Sequence, residues 1–556
     1  MAKIHTLKIS NYRSIQNFEQ NFGLSDFVCI IGRGDSGKTA ILEAISLVLS
    51  PRWNLSFYDM DFYNGDISKS IEIEASLYDL PEELIQESKY GLHIRGLDKE
   101  NNILHDDIKS NHEAVLTIKL IVEKDLEPRW FVVNNRDLQE SIEMRTSDRA
   151  KLNMFFVSDY IDKHFSWNKG NPLYSLLKQN GDDFENNNII IDAFREAKEK
   201  IDSNTFKQLD TVIEKIKSKS SILGVDIPNT HTTIDSRDIF TKDGKICLHE
   251  DKIPFRQKGK GSKRLISIAI QTELAESGGI VLIDEIEQGL EPDRVRHLTS
   301  KLKRQKQGQV FITTHSRDVI VELQAENLFL MKGKKKELIN FGESFQGCLR
   351  NNPEAFFSKR VLICEGATEV GICRAINNYR VKQGNPNYAV LGVGIVDGGG
   401  SGFVDYCKKF KQAGFHVCTF CDSDDSGINK QKESLKLCGI EIVDCDAGNA
   451  IEQQLFNDLP WNSVQKLIDY AIDEKGIASI QDLIKNQHSN TLPENWHEND
   501  TPEMRVALGK ASSKGWYKRI DHGEVIGKIL CEARLEIADK TLGKQFEKLF
   551  KWINNA

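Results

Sequence analysis

The stretch Phe27-Val-Cys-Ile-Ile-Gly-Arg-Gly-Asp-Ser-Gly-Lys-Thr39 decides how the chain is read. Its first half, Phe27 to Ile31, is an unbroken apolar run, as a strand buried on both faces requires. The run ends at Gly32-Arg-Gly-Asp-Ser-Gly-Lys-Thr39, which fits the pattern G-x-x-x-x-G-K-[ST]. From Thr39 to Leu49 the residues are apolar nearly all round, which predicts a buried helix. In such a strand–turn–helix, the backbone of Gly32, Arg33, Gly34, Asp35, Ser36 and Gly37 curls around phosphates, and the helix N-terminus adds partial positive charge. Lys38 then reaches the β- and γ-phosphates, and the Thr39 hydroxyl takes a place on Mg²⁺. The implied cofactor is ATP with Mg²⁺.

A phosphate loop needs a second, acidic half. Ile280-Val-Leu-Ile-Asp284-Glu285 is an apolar strand ending in two carboxylates: Asp284 to hold Mg²⁺ through water, Glu285 to polarise the attacking water. One helix and one strand later, His315 in Ile312-Thr-Thr-His-Ser316 stands where it can sense the γ-phosphate. A strand pattern at 4–12 precedes the loop; after it, strand patterns at 71–77, 114–122 and 130–133 give way to a polar, helix-like region at 136–222, and short strands return at about 238–249. The expected organisation is an ATPase head in two halves, 1–135 and 223–350, split by a helical insertion at 136–222.

A second α/β pattern covers 355–556, with strands at Arg360–Cys364, Val390–Val396, His416–Cys421 and Glu441–Val443. Alternating strands and helices predict a parallel sheet, whose strand ends are where ligands bind. Glu365 ends one strand in Glu365-Gly-Ala-Thr-Glu369, and Asp422 and Asp424 end another; Asp397-Gly-Gly-Gly lies between. Carboxylates gathered this way repel one another unless a cation sits among them, and hard oxygen ligands select Mg²⁺ or Mn²⁺. Two such ions would clamp the attacking and leaving oxygens of a phosphodiester.

Composition bounds the rest. Charged residues make up 28% and the net charge is −8, so the chain is a globular acidic protein that would meet nucleic acid through local basic patches and metal ions. Arg256, Lys258, Lys260, Lys263 and Arg264 form one such patch. No apolar run reaches the roughly 18 residues of a membrane helix. The start, Met1-Ala-Lys-Ile-His5, lacks a secretory hydrophobic region, so a cytoplasmic location is expected. Nine of the 11 cysteines follow residue 340, many in apolar runs, and read as reduced core residues. Zinc at Cys418 and Cys421, helped by His416, Cys438 and Cys445, is the lesser alternative, because residues three apart on a strand face opposite ways.

The phosphate loop, Leu282-Ile-Asp-Glu-Ile-Glu-Gln-Gly-Leu-Glu-Pro292 and Thr313-Thr-His-Ser316 resemble an ABC-type ATPase head of the RecF/SMC kind. Such heads pair so that a segment of one chain caps the ATP of the other. Lys258-Gly-Lys-Gly-Ser-Lys-Arg264 occupies that position but departs from the usual Leu-Ser-Gly-Gly, and Gly34 stands where this family commonly has Asn. Asp61 fills the place of the loop that senses Mg²⁺. The C-terminal motifs resemble a Toprim domain, and the fusion of the two resembles the OLD (overcoming lysogenization defect) nucleases, whose plan the Gabija nuclease subunit and retron-associated nucleases share.

That resemblance implies metal ligands at Glu365, Glu369, Asp422, Asp424 and Glu452, and an assisting lysine, Lys514, with Lys518 the nearest competitor. It implies a metal-dependent DNA endonuclease controlled by its ATPase and acting in antiphage defence, with a reverse transcriptase and noncoding RNA, or a helicase, as possible partners. The rival is a RecF-like ATP-switched repair protein with a vestigial Toprim core. A Toprim topoisomerase or primase is a weaker rival; a topoisomerase would need a nucleophilic tyrosine on a separate domain, and no extra domain is evident. A homodimer or dimer of dimers is expected, with Phe155-Phe-Val157 and Tyr174-Ser-Leu-Leu177 of the insertion as apolar anchors.

Overall fold

The computed structural model describes residues 2–555 except 138, 159–160, 168–170, 180–194, 197–198, 201–206, 223–247, 276–277, 305–307, 333–336 and 489–491. Part of the expected insertion, including 180–194 and 201–206, and most of the 238–249 strands fall outside the described residues.

The apolar run Phe27–Ile31 is a central strand, fully buried, in a six-stranded sheet. Across that sheet the order is Met154–Val157, Ile280–Ile283, Gln309–Thr314, Phe27–Ile31, Leu328–Lys332 and Glu337–Asn340, parallel except for the last. Parallel register places the ends of the three motif-bearing strands side by side: Ile31 pairs with Thr314, and Ile283 with Ile312. The phosphate loop, the Asp284–Glu285 pair and His315 therefore emerge at one sheet edge.

A second, antiparallel sheet of eight strands, including Lys3–Tyr12, Ile71–Tyr78 and Glu113–Val122, covers the helix Lys38–Val48. Ile41, Leu42 and Ile45 of that helix share one core with Ile73, Ile118 and Leu120 of this sheet.

One sequence expectation is revised here. Phe155-Phe-Val157 is not a free apolar patch for a partner but lies in the edge strand of the ATPase sheet, in register with Val281–Ile283, and Val157 is fully buried. The six-stranded sheet thus takes a strand from the region read as insertion. Tyr174–Leu177 falls in the helix Pro172–Gln179, whose Leu176 packs on the same core.

The C-terminal sheet is four parallel strands in the order Val393–Asp397, Arg360–Cys364, His416–Phe420, Glu441–Val443. Helices from Ile451 to Asn554 cover it. Two of these contacts depend on glycine. The helices Ala367–Lys382 and Ile520–Glu532 approach so closely that a Cβ on Gly371 would fall 2.1 Å from the Ile520 carbonyl oxygen, and one on Gly523 2.2 Å from that of Thr368. The ATPase and C-terminal parts share one apolar core. A chain of rings runs across it: Phe341 to Phe356 at 5.0 Å, Phe356 to Phe410 at 5.3 Å, and Phe410 to Phe415 at 5.2 Å between centroids.

Among the described residues every cysteine is a free thiol, and Cys418 and Cys421 are buried in core and do not converge with other metal-binding groups. No described helix is long and apolar enough to cross a membrane.

Candidate functional site

Two centres stand out. In the first, the phosphate loop turns through left-handed backbone at Asp35 (φ 58°) and Gly37 (φ 102°), which opens the helix Lys38–Val48 towards the loop. The Lys38 ammonium folds back onto the loop, donating to the Gly32 and Arg33 carbonyls at 3.1 and 3.0 Å. Burial lowers its pKa to about 8, against the opposing pull of Asp284, Glu285 and Glu287. Thr39 Oγ1 donates to Asp284 Oδ2 at 3.0 Å, so the two groups expected to share Mg²⁺ already meet. Thr313 Oγ1 donates to Asp284 Oδ1 at 2.5 Å and accepts from the Glu285 N–H at 2.8 Å, which holds the Asp284 carboxylate and the Glu285 backbone from the neighbouring strand. Glu285 sits at φ 47°, strained backbone of the kind found where a side chain must be aimed.

His315 donates its backbone N–H to Glu287 Oε1 at 2.5 Å, and burial lowers its pKa, helped by Lys38. Glu287 was not singled out in the sequence. It also accepts from Thr314 Oγ1 at 2.7 Å and so clamps the sensor loop. Asp61 accepts from Arg13 Nε at 3.0 Å, and Arg13 also pairs with Glu43.

The basic patch is less free than its sequence suggests. Arg264 is buried, donating to the Ser158 carbonyl at 2.9 Å and to the Asp284 carbonyl. Lys263 pairs with Asp162 and Lys258 with Glu250. Only Arg256 and Lys260 of the five lie on the surface as exposed residues.

The second centre gathers at the C-terminal sheet. Glu365 Oε2 accepts from the Asp422 N–H at 2.9 Å, joining the two strand ends. Asp422 Oδ1 accepts from the Ile451 N–H at 2.7 Å, at the start of the helix that carries Glu452. Glu369, in the first turn of its helix, is buried and accepts from the Gly366 N–H at 2.9 Å. Burial and then the charges of Glu369, Glu452 and Glu365 push Asp422 up to about 8. Burial also pushes Glu369 up to about 7, with Glu452 and Glu365 adding to it. Glu365 is raised by burial too. Glu452 is completely buried, and its Oε2 has no hydrogen-bond partner among the described residues. A buried carboxylate oxygen without a donor, inside a cluster of mutually repelling carboxylates, fits a divalent cation of the hard, oxygen-seeking kind.

Asp424 is exposed at the rim, and Asp397 turns its carboxylate back to the Gly399 N–H at 2.9 Å. The lysine that the structure brings to the cluster is Lys518, donating to Glu452 Oε1 at 2.9 Å. Burial disfavours its charge, but Glu452, Asp422 and Glu369 outweigh that and raise its pKa. Lys514, the lysine expected from resemblance, is exposed and makes no side-chain bond to these carboxylates among the described residues. Lys518 arrives through the close glycine crossing: Thr368, beside Glu369, donates to the Tyr517 carbonyl at 2.5 Å, immediately before it. Lys432, unremarkable in sequence as one lysine of a polar helix, is buried beneath the Asp422 loop and donates to the Asp422 carbonyl and to Ser423 Oγ.

Residues 2–320 match the family described as AAA ATPase domain, and residues 356–424 the Toprim domain of overcoming lysogenization defect-like proteins. Over more than half of its length the chain belongs to the AAA ATPase domain family, and its C-terminal part is similar to the Toprim domain of OLD-like proteins. It is 23% identical over 332 residues to a protein of Thermus scotoductus named OLD nuclease, a match covering 56% of this chain and 58% of that protein. The aligned part is thus less than two thirds of that relative's length. Among solved structures it is similar to the SMC head domain from Thermotoga maritima (13% identity, 61% of this chain and 98% of that one, TM-score 0.28). It is also similar to the recombination mediator protein RecF of the RecFOR pathway (13% identity, 61% and 97%, TM-score 0.32).

Proposed function

We propose that this protein is a metal-dependent DNA endonuclease whose cleavage is controlled by the nucleotide state of its ATPase head, and that it serves in antiphage defence. The observation that carries the reading is the convergence of Glu365, Glu369, Asp422 and Glu452 with Lys518. A vestigial core would have no need for a buried, partnerless Glu452 oxygen or for carboxylates held in mutual repulsion.

Glu369, Asp422 and Glu452 would hold Mg²⁺ or Mn²⁺, with Glu365 beside them and Asp424 at the rim towards the substrate. Bound there, the ions would supply an activated water and neutralise charge on the phosphodiester. Lys518 pairs with Glu452 and places a cation where negative charge develops on the phosphate. Glu365, with a raised affinity for protons and anchored by the Asp422 N–H, is the group suited to accept one from the attacking water.

Control by nucleotide has a physical route. Arg33 of the phosphate loop reaches the C-terminal sheet: a Cβ built on Gly392 would fall 2.1 Å from Arg33 Nη1, an atom that is buried and without a hydrogen-bond partner among the described residues. Gly392 immediately precedes the strand Val393–Asp397. On the other side of the ATP site, the His315 ring lies 6.3 Å from that of Phe357. The same short linker carries Asn352, whose amide holds both the N–H and the carbonyl of Asp397 at 3.1 Å. ATP that draws Arg33 or His315 towards its phosphates would shift this strand and its glycine loop. Closing the γ-phosphate side takes a second head, so a homodimer or dimer of dimers is the working assembly.

Supercoiled plasmid incubated with Mg²⁺ or Mn²⁺, with and without ATP, tests the reading. Cleavage should require metal, change with ATP, and vanish in Asp422→Ala and Glu365→Ala while ATP binding persists. Equal cleavage by both variants and the wild type would overturn it. ATP-switched DNA binding without any metal-dependent cleavage would favour the RecF-like rival.

A further inference from the structure

The antiparallel sheet over the ATPase head carries a group of side chains that neither centre uses. Asp98, His105 and His112 each bring one ligand atom within 4.8 Å of the others, the only such group of His, Cys, Asp or Glu among the described residues. Strand register explains the meeting. Gly96 lies opposite His105, and Leu97 opposite Glu113, so His112 falls level with Asp98. Residues directly opposite share a face, and Gly96 and Asp98 share one because the side-chain period of a strand is 2. All three groups therefore rise from the same face of three adjacent strand segments.

Gly96 is the reason the two imidazoles can touch. Its backbone is not in the left-handed region, so the residue serves space rather than torsion. A Cβ there would fall 2.5 Å from His112 Nδ1 and 2.9 Å from the Ile108 Cα. In the gap left by the missing side chain, His112 lies over His105 with ring centroids 4.9 Å apart and planes 16° from parallel. Asp98 is held towards them by its own loop: Oδ1 accepts the Glu100 and Asn101 N–H groups at 3.0 and 3.2 Å, and Oδ2 accepts Asn101 Nδ2 at 2.8 Å. A carboxylate has about four lone-pair sites, so these bonds leave capacity for a cation.

We propose that Asp98, His105 and His112 form a site for a divalent transition ion of the zinc class, separate from both the ATP and the nuclease centres. Two imidazoles and one carboxylate are the ligand types zinc takes, with water in the fourth position, whereas the all-oxygen nuclease cluster selects Mg²⁺ or Mn²⁺. Ligand atoms around tetrahedral zinc lie about 3.3 Å apart, so the three groups need to draw in by at most about 1.5 Å, which side-chain rotation supplies. The ion would staple the loop 106–112 onto the sheet at its far end. Its near end is already fixed, where Arg95 pairs with Asp106 at 2.7 Å. The role is structural.

The test uses untagged full-length protein stripped of metal, then dialysed against Zn²⁺ with Mg²⁺ in large excess so that the carboxylate cluster is occupied. The wild type should retain one zinc per chain by elemental analysis, and the His105→Ala/His112→Ala double variant should lose it. Gly96→Ala, whose new methyl displaces His112, should weaken retention at least about tenfold. Co²⁺ in place of Zn²⁺ should give visible absorption bands in the wild type only. Zn²⁺ should raise the melting temperature of the wild type and leave that of the double variant unchanged. If the double variant melts abnormally without zinc, Asp98→Asn provides the same comparison. Equal zinc in wild type and variants, or none retained by the wild type, would overturn the proposal.

Discussion

The crossing of Ala367–Lys382 with Ile520–Glu532 makes a prediction that separates geometry from chemistry. Replacing Gly523 by alanine adds one methyl group and no charge. That methyl would sit 2.2 Å from the Thr368 carbonyl oxygen and 2.9 Å from the Gly371 Cα, both backbone, so no flexible side chain can yield. The helices must part by about 1 Å to restore ordinary contact. Overpacking of this kind costs about 1–3 kcal/mol, and a rigid backbone partner puts it at the upper end. Alanine recovers about 1 kcal/mol of helix propensity, which leaves a net loss of about 2 kcal/mol. For a domain of this size that is a fall of about 4–8 °C in the melting transition of the C-terminal part. Gly347→Ala is the matched control, because it lies in the helix Gln346–Asn351 with nothing within 4 Å of the new Cβ; it should melt as the wild type or slightly higher. The crossing also positions Tyr517 and Lys518, so metal-dependent cleavage should fall in Gly523→Ala even well below its melting temperature. Calorimetry and plasmid cleavage read both effects. If Gly523→Ala melts at or above the wild-type temperature, the argument that glycine is there for close approach is wrong.

Further outcomes follow from the two centres and their junction. Lys518→Met should reduce cleavage by about 10²-fold or more, as loss of one electrostatic stabiliser does, while Lys514→Met stays within a few-fold of wild type; the reverse order would return the role to Lys514. Lys38→Ala should weaken ATP binding, Glu285→Gln should bind ATP but turn it over slowly, and Arg33→Ala should bind ATP yet cleave at a rate indifferent to nucleotide; a nucleotide response in Arg33→Ala equal to that of the wild type would exclude the Gly392 contact as the route. Lys332 sits over the Phe415 ring at 3.3 Å and donates to the Ala413 carbonyl at 3.1 Å, and burial lowers its pKa from 10.5 to about 7. The unfolded chain then binds more protons than the folded one between those values, so Lys332 contributes a stability that rises with pH from about 7 to 10.5. Lys332→Met should flatten that part of the melting-temperature profile, and an unchanged profile would mean the ammonium is not desolvated there.

Legibility in the sequence followed the range of the interactions. Strands such as Phe27–Ile31, Ile280–Ile283 and Arg360–Cys364 were readable because burial on both faces leaves an unbroken apolar run. Phe155-Phe-Val157 has the same character, yet it was read as a patch for a partner. It stands in polar, helix-like surroundings, and its partner strand Ile280–Ile283 is distant in sequence. Period alone cannot say which sheet an isolated apolar triplet will join. The hairpin Arg95–Asp98 with Ile103–His105 went unread for a related reason: its strands are short, and the pairing that brings His105 and His112 together depends on a glycine whose purpose is space.

The site divides along the same line. Carboxylates at strand ends are legible because they terminate apolar runs, whereas Glu452 is reached only through resemblance. What decides the chemistry around them is not local. Lys518 has no neighbour in sequence that marks it, and Lys514 stands in an equally plausible loop. Two helices cross closely enough for Tyr517 to accept from Thr368, one residue from Glu369, and that crossing brings Lys518 rather than Lys514 to Glu452. Lys432 is hidden for the same reason, since its polar helix gives no sign that one lysine turns under the Asp422 loop. Burial then sets the electrostatics: the same carboxyl groups spread along a solvated loop would be ordinary acids, and it is desolvation first, with mutual repulsion second, that raises Asp422 to about 8 and Glu369 to about 7. A sequence records the groups; only packing brings them together as a buried cluster.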